Sequence, residues 1–555
     1  MSEENPSQKS RPEVICDHFK ELLGGRSNLE SYWQTLHDYF YIEAEDINKT
    51  YATGTELDAA FLYDATTLET ADVLASGFMN YLTPPGSKWF RLRHKNPALA
   101  NNKNVADYLE SIADEVNYTL NRSNFYNQIH PSYKSSGVYG TSILLEEEDL
   151  EDEARFTNLP IKQVCIVEDA RGRICEYYIE FEYTAYQAMT RWGKDVLSKE
   201  MQDECDGRNP EKKHKFILFI AKRNNRDVTK TNKQNLPIEA CWIDVKAKKM
   251  VDEGGYNEFP AMCHRFDKRP FIPWGFSPAM KSLPFARNLN TIAKTSLRMM
   301  MKHTDPPIAV PSNAFLMPLN MNPRAINAYK KSAMDGGSKD MFAFGNYGNP
   351  TIAFEAIEFY AKKVKSLMFY DVFLAFESLE KQMNNPEVME RINEKMSMLG
   401  SAVGRYTSEV LNPIIVRTIG ILWRRGKLPE PPQEIMEDPT YEIDFVGQLA
   451  QAQKRSELNA IVTSLQMVGQ MAQFTPEVLD GINVDKVRDE VWSITGSPVR
   501  VLRDDGEIQQ IRQNRQQQQA AAQELAMAGA MAQTGKDATQ ADKHIAEAQA
   551  IGKKK

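Results

Sequence analysis

Residues 385–432 read NPEVMERINEKMSMLGSAVGRYTSEVLNPIIVRTIGILWRRGKLPEPP and carry a long helical pattern. Apolar side chains recur there at alternating steps of three and four residues, which places them on one face of an α-helix. They are Val388, Ile392, Met396, Leu399, Val403, Tyr406, Val410 and Ile414. About forty residues at ~1.5 Å each give roughly 60 Å, a length typical of a helix that braces an elongated subunit or an assembly. The alternative is two ordinary helices of a large globular core.

Residue types at both ends of this pattern favour helix termini. Asn385 suits the N-cap because its side-chain oxygen accepts a free amide of the first turn, and Pro386 follows where its missing N–H costs nothing. Gly426 suits the left-handed residue beyond the C-terminus. Pro413 lies inside the pattern and removes a backbone donor, so a kink is predicted there.

Length and composition indicate a folded chain of several substructures. The chain has 555 residues, 42% hydrophobic and 26% charged, and a single compact core of that size is not expected. The net charge of −8 argues against a protein that coats nucleic acid, although a local basic surface remains compatible with it. The six cysteines are scattered without a C-x-x-C pair, which is typical of reduced thiols.

The sequence predicts neither a signal peptide nor a membrane span. The first twelve residues are polar, and no apolar run approaches the ~20 residues that a transmembrane helix needs.

Periodicity predicts an α+β fold that is predominantly helical. Between residues 155 and 275 short strand candidates are separated by glycine, asparagine and charged residues, without the strand–helix alternation of a parallel sheet. The predicted helices lie at 13–43, 64–82, 103–121, 285–304, 354–380 and 448–472.

The motifs of common enzymes are absent from the sequence. It contains no phosphate-binding G-x-x-x-x-G-K-[ST], no H-E-x-x-H and no G-x-S-x-G, and its eight histidines are isolated. The acidic run Glu146–Asp149 could bind Mg²⁺, but a solvated turn is favoured because the run has no geometric partner. We therefore expect no catalysis, no cofactor and no metal.

One face of the predicted helix 285–304 is basic. Lys294, Arg298 and Lys302 recur at steps of four residues and share that face, whereas Leu289 and Ile292 belong to the apolar face. Positive charges arranged in this way suit either phosphate groups or the carboxylates of a neighbouring subunit, and the sequence leaves both interpretations open.

Five passages, taken in order and spacing, resemble the portal, or head-to-tail connector, proteins of short-tailed bacteriophages. The resemblance extends over nearly the whole chain. The passages are Tyr63–Phe90 with its Leu82-Thr83-Pro84-Pro85-Gly86, Pro273–Asn290, Asp305-Pro306-Pro307, Met389–Lys395 with Leu411-Asn412-Pro413, and Tyr441–Ala450 with Gln453-Lys454-Arg455.

This resemblance implies a closed ring of about twelve identical subunits at one capsid vertex. By position, it divides the chain as follows: residues 1–12 a flexible N-terminus, 13–281 the wing, 282–304 and 354–380 two stem helices, 305–353 the clip, 381–385 a channel loop, 386–440 the long kinked helix of the wing, 441–533 the crown and 534–555 a mobile tail.

The resemblance also implies a function and partners. The ring is expected to pass double-stranded DNA during packaging and ejection without reading its sequence, and to bind the terminase and later tail adaptor proteins. Major capsid and scaffolding proteins are further expected partners, in the host cytoplasm during assembly and then in the virion. The residues expected to face the DNA channel are Lys294, Arg298, Lys302, Lys381, Gln382, Met383, Asn384 and Asn385. The alternatives are an enzyme acting on DNA and a tail adaptor or other non-enzymatic ring of the virion.

Overall fold

The computed structural model describes most of the chain. The described residues are 9–48, 59–100, 102–207, 209–227, 229–230, 232–304, 308–309, 342–343, 350–379, 399–446, 448–472, 482–495, 503, 506–522, 543 and 545. The predicted channel loop 381–385, most of the predicted clip, the start of the long helix at 386–398 and nearly all of the predicted tail lie outside them.

Helices form most of the regular structure in the described part of the chain. They are α1 (Arg11–Phe40), α2 (Thr66–Leu82), α3 (Pro97–Ala100), α4 (Lys103–Arg122), α5 (Phe125–Tyr139), α6 (Ala185–Trp192), α7 (Lys199–Asp206), α8 (Pro278–Thr304), α9 (Pro350–Leu367), α10 (Tyr370–Leu379), α11 (399–406), α12 (Asn412–Arg424), α13 (Gln433–Glu437), α14 (Gln448–Ala472), α15 (Val484–Thr495) and α16 (506–522).

The strands form small sheets rather than one large sheet. They are β1 (Phe90–His94), β2 (Thr141–Asp149), β3 (Glu153–Leu159), β4 (Val164–Glu168), β5 (Ile174–Thr184), β6 (Lys213–Lys222), β7 (Ile238–Asp244), β8 (Lys249–Tyr256), β9 (Ala261–Arg265), β10 (Ile308–Ala309), β11 (Phe342–Ala343) and β12 (Tyr441–Phe445). The largest sheet is antiparallel in the order β4-β5-β6-β7-β8, and a second has the order β3-β2-β9. The α+β class predicted from the sequence is confirmed.

The chain divides into two units. One comprises residues 1–91, 112–430 and 443–457, and the other comprises residues 92–111, 431–442 and 458–555. In the first unit, α1 covers one face of the five-stranded sheet, where Phe19 of the helix lies among Tyr178, Ile217 and Cys241 of the strands. That face is apolar because side chains alternate across a strand and every second one points at the helix.

Two helix predictions differ from the structure. The helix predicted over 354–380 is two helices, α9 and α10, because Phe369 between them has a φ of 59° and cannot continue a right-handed helix. A helix that was not predicted, α5, ends at Gly140, whose φ of 81° is left-handed. The structural reason is a C-terminal cap that glycine adopts without steric cost.

The described part of the long helix runs from residue 399 to Arg424, and beyond it only the short α13 is helical up to residue 440. Leu399, Tyr406, Val410 and Ile414 of the apolar stripe are each at most 1% exposed. At the C-terminus Gly426 has a φ of 64°, and the bond from the Lys427 amide to the Leu422 carbonyl measures 3.0 Å. This is the left-handed cap that the sequence predicts.

Immediately before Pro413 the hydrogen-bond pattern of this helix changes. Residues Thr407–Leu411 form a π-helical turn, after which α12 begins at Asn412 with Pro413 as its second residue. A wider turn at this point moves the Glu409 carbonyl away from the proline ring, with which it collides in a regular α-helix. The Glu409 carboxylate accepts bonds from the Arg265 amide at 3.0 Å and from its guanidinium. The kink predicted at Pro413 stays a prediction.

Helix α12 is fixed to strand β2 by a buried polar network. Arg417 and Glu146 are both 0% exposed, and the Arg417 guanidinium donates to the backbone carbonyl of Glu146 at 3.1 Å. The Thr418 hydroxyl lies 2.9 Å from both Glu146 Oε1 and the Ile414 carbonyl. A carbonyl only accepts, so a hydroxyl that donates to Ile414 takes its second bond from a protonated Glu146. Burial raises the pKa of Glu146 to about 8, in agreement with that proton.

The buried carboxyl group predicts a pH dependence of stability. The unfolded chain releases the Glu146 proton near pH 4.5, whereas the folded chain keeps it up to about pH 8, so the folded state loses stability as pH rises between these values. The slope from this group is at most ~1.4 kcal/mol per pH unit. Glu146→Gln keeps a neutral hydrogen-bonding group and is expected to remove that slope. Urea unfolding at about pH 5 and about pH 8 measures it.

The matched control is Glu148→Gln, a more exposed glutamate of the same strand that pairs with Arg424 at 2.9 Å. This variant is expected to keep the wild-type slope. A Glu146→Gln protein whose stability varies with pH as the wild type does contradicts the assignment of a buried proton.

A second prediction concerns the wide turn before Pro413. Pro413→Ala restores a backbone donor and removes the ring, so residues 407–411 are expected to return to the regular α-helical pattern and to straighten or stiffen the helix. That change rotates Glu409 away from Arg265. A structure of the variant measures it, and a π-helical turn that persists unchanged contradicts proline as its cause.

Candidate functional site on the hairpin of helices α8 and α9

Helices α8 and α9 form an antiparallel hairpin within the first unit. The two helices pack along each other, and the rings of Phe285 and Tyr360 meet with centroids 6.4 Å apart. Beyond the helices, β10 pairs with β11 in antiparallel register, Ile308 opposite Ala343. Between the described ends lie residues 310–341, so the chain leaves the hairpin by α8 and returns by α9.

The start of α8 is fixed by the residues before it. The Ser277 hydroxyl accepts the Met280 amide at 2.9 Å and donates to the Val138 carbonyl at 2.7 Å. This is an N-cap that also ties α8 to α5. Gly140 and Gly275 pass so closely that a Cβ on Gly140 would lie 2.5 Å from the Gly275 carbonyl oxygen. Glycine is required at this crossing, which holds the base of the hairpin against the body.

Halfway along α8, Asn290 joins the helix to the segment before α2. Its side chain accepts the Tyr63 amide at 2.7 Å and donates to the Phe61 carbonyl at 2.9 Å. The ammonium group of Lys294, one turn further on, lies 5.3 Å from the centre of the Tyr63 ring. A cation at this distance from an aromatic face is stabilised by it.

The structure places the predicted basic residues on the outer side of α8. Arg298 follows the buried Leu289 by nine residues, and at ~100° per residue it lies on the opposite side of the helix. Arg298 and Lys302 are exposed, and Lys294 is half-buried beside Tyr63. Among the described residues no carboxylate pairs with any of the three, so each charge is available to another molecule.

Helix α9 has a different outer side. Glu355 precedes the buried Val364 by nine residues and therefore faces away from the packed side, with Glu358 close to it. Phe359 is 55% exposed and Ile352 is 65% exposed on the same helix. The sequence pattern does not single out these residues. Their spacing alone does not reveal that they are exposed, because the exposed side of α9 depends on which of its faces packs against α8.

The structure also gathers three possible metal ligands that the sequence did not suggest. Ligand atoms of His37, Asp38 and Asp46 all lie within 4.8 Å of one another. Gln34 already donates to both carboxylates, at 2.7 Å and 3.2 Å, and the His37 ring nitrogens face Asp38 and the Ala44 carbonyl. Two acceptors favour a doubly protonated ring. The pKa of His37 is raised, because its bonds to Asp38 and Ala44 outweigh burial. The group is therefore better described as a hydrogen-bonded cluster at the end of α1 than as a metal site.

The remaining predicted channel residues, Lys381 to Asn385, lie outside the described part of the chain. Among the described helices none combines the length and apolar character that crossing a bilayer requires.

Comparison with known proteins identifies the family. Residues 14–502 match the family of bacteriophage head to tail connecting proteins. The chain is 27% identical over 539 residues to the portal protein of Salmonella phage epsilon15, covering 95% of each chain. It is 26% identical over 524 residues to the probable portal protein of Bordetella phage BPP-1, covering 94% of each chain. The protein therefore belongs to the family of bacteriophage head to tail connecting proteins.

Proposed function

We propose that this chain is the portal protein of a bacteriophage, a closed ring at one capsid vertex through which double-stranded DNA enters and leaves. The observation that carries the proposal is the α8–α9 hairpin, which offers exposed charges and exposed apolar side chains on its two outer sides. A monomer gains nothing from such a surface, whereas a ring covers part of it and directs the rest to the channel. The match to portal proteins over nearly the whole chain supports the same assignment.

The proposed role is structural. The ring receives the terminase during packaging and tail adaptor proteins afterwards, while the capsid and scaffolding proteins surround it. It assembles in the host cytoplasm from about twelve copies, a number that closed rotational symmetry permits. Wing, stem, clip and crown keep the bounds that the sequence resemblance gives them, and the loop 381–385 projects toward the channel.

Within the channel, Arg298 and Lys302 are assigned to DNA. Both are exposed and have no carboxylate partner among the described residues, and repetition around the ring turns each into a circle of positive charge. Point charges that meet phosphates attract DNA by releasing counterions and read no bases. Attraction without base readout suits a molecule that slides. The Lys294 ammonium lies over the Tyr63 ring, so this residue belongs to the edge of the basic surface.

The proposed ring can be tested by electron microscopy. Negative-stain images of the purified chain, viewed end-on, are expected to show closed rings with an axial hole. A stable monomer at micromolar concentration, with no ring in the absence or presence of the capsid protein, contradicts the proposal. Assays for ATP hydrolysis and for Mg²⁺-dependent DNA cleavage on the same rings separate this function from a DNA-processing enzyme.

The proposed contact between the basic surface and DNA can be tested by measuring DNA binding. Replacing Arg298 and Lys302 by glutamine is expected to weaken the binding of a linear DNA duplex to purified rings, most strongly at low salt. For every phosphate that is no longer neutralised, the slope of log K against log salt becomes shallower by about 0.9. The weakening is expected to be equal for duplexes of different sequence, because no base edge is read.

The matched control replaces Lys20 and Lys199, two exposed lysines outside the hairpin, by glutamine. These changes remove the same charge and are expected to leave the salt slope of DNA binding unchanged. If the variant that lacks the Arg298 and Lys302 charges binds DNA with the wild-type salt slope, these two residues do not contact DNA in the channel.

A further inference from the structure

One end of the five-stranded sheet carries a basic surface that shares no residue with the α8–α9 hairpin. It consists of the β4–β5 connection, residues 169–173, and of residues 222–237, which end β6 and connect it to β7. Because Glu176 of β5 pairs with Ala221 of β6, both connections begin at the same end of adjacent strands, which lie about 4.8 Å apart. This basic sheet end contains seven basic residues and two acidic ones.

Both connections are ordered by bonds that occupy the two carboxylates. Asp169 Oδ1 accepts the backbone amides of Arg171 and Arg173, both at 2.8 Å. Asp227 Oδ1 accepts the backbone amide of Thr229 at 3.1 Å. Aspartates that bond the backbone two residues on close turns, so these carboxylates hold the chain that carries the basic side chains.

Five of the basic side chains are exposed and have no carboxylate partner among the described residues. They are Arg171, Arg173, Lys222, Arg226 and Lys233. The other two are paired, Arg223 with Glu253 at 3.5 Å and Lys230 with Asp227 at 3.3 Å. The basic sheet end therefore keeps a surplus of positive charge, although the whole chain has a net charge of −8.

The opposite end of the same sheet shows that this surplus is local. Exposed lysines occur there too, but carboxylates of α7 compensate them. The pairs are Lys194–Asp206 at 2.5 Å, Lys212–Glu200 at 3.2 Å and Lys246–Glu200 at 2.5 Å. At the basic sheet end no described carboxylate has this role for the five cations, so their charges are available to another molecule.

The composition of the basic sheet end indicates which kind of anionic partner it fits. Among its described residues no large apolar side chain is exposed, and basic and amide side chains predominate. The core of a protein–protein interface is depleted in lysine and depends on aromatic or other apolar anchors, which this surface does not offer. Arginine, lysine, asparagine and threonine are instead side chains that contact the phosphates of DNA.

We propose that the basic sheet end is a second contact surface for duplex DNA, which it binds through the phosphates and without reading bases. The inference goes beyond the proposed function, because binding at this surface does not require that DNA passes through the ring. In a ring the surface recurs in every copy, so weak phosphate contacts add up along one length of DNA.

A covalently closed circular duplex tests the surface, because it cannot thread through a ring that has already formed. Purified rings are expected to bind it at low salt, and replacing Arg171, Arg173, Arg226 and Lys233 by glutamine is expected to weaken that binding. If all four contact phosphates, the slope of log K against log salt becomes shallower by about 3.6. Between about 50 and 200 mM salt the wild type then loses roughly a hundredfold more affinity than the variant. Filter binding measures the affinity, and circular dichroism establishes that every variant is folded.

The matched control removes four positive charges at the opposite end of the sheet. Its substitutions to glutamine are at Lys194, Lys199, Lys212 and Lys213, which are all exposed. This variant is expected to keep the wild-type salt slope. Replacing the three arginines of the basic sheet end by lysine keeps their charges and is expected to keep the binding of the circle.

Two results overturn the proposal: wild-type rings that do not bind the circle, and a glutamine variant that binds it with the wild-type slope. A glutamine variant that binds the circle normally but no longer binds the capsid or scaffolding protein also overturns it, in favour of a protein partner. The variant of Arg298 and Lys302 is expected to bind the circle as the wild type does, which separates this surface from the channel. If the chain forms no ring, the proposed function fails, whereas the same assay on the monomer still tests the basic sheet end.

Discussion

Helix α8 can bury only one side against α9, and the charge distribution of the hairpin follows from that constraint. Leu289 and Val364 occupy the buried sides of the two helices, so residues nine positions away necessarily face outward. Around α8 the outward positions carry Arg298 and Lys302 without an acidic residue, whereas on α9 they carry Glu355 together with Lys362.

The long helix depends on a second type of constraint, the satisfaction of buried polar groups. Arg417 and the protonated Glu146 are both fully buried, and removing the Arg417 charge from water carries a large cost that its hydrogen bonds offset only in part. The network therefore contributes less to stability than to position, because only one register of α12 against β2 satisfies its bonds. The π-helical turn has a similar effect: it accommodates Pro413 and directs Glu409 at Arg265. Long helix and small sheets are thereby fixed in one arrangement.

Much of the local structure could be predicted because it is encoded within a few residues. The apolar stripe of the long helix, the left-handed Gly426 and the α+β class all follow from spacing and backbone preference. The division between α9 and α10 could not be predicted, since Phe369 is not a residue type that favours a positive φ. The hydrogen-bonded cluster around His37 could not be predicted, because its side chains are brought together by the turn after α1. The basic face of α8 was predicted, but the exposure of Glu355 and Glu358 could not be, because it depends on which side of α9 is packed.

The proposed DNA channel also sets a demand on where an acidic chain carries its cations. With a net charge of −8 the protein as a whole repels DNA at long range, so attraction to DNA would have to come from cations concentrated on one surface. Arg298 and Lys302 meet that demand on the outer side of α8, since both are exposed and have no carboxylate partner among the described residues. Point charges of this kind contact phosphates without reading bases, which suits a DNA backbone that has to slide.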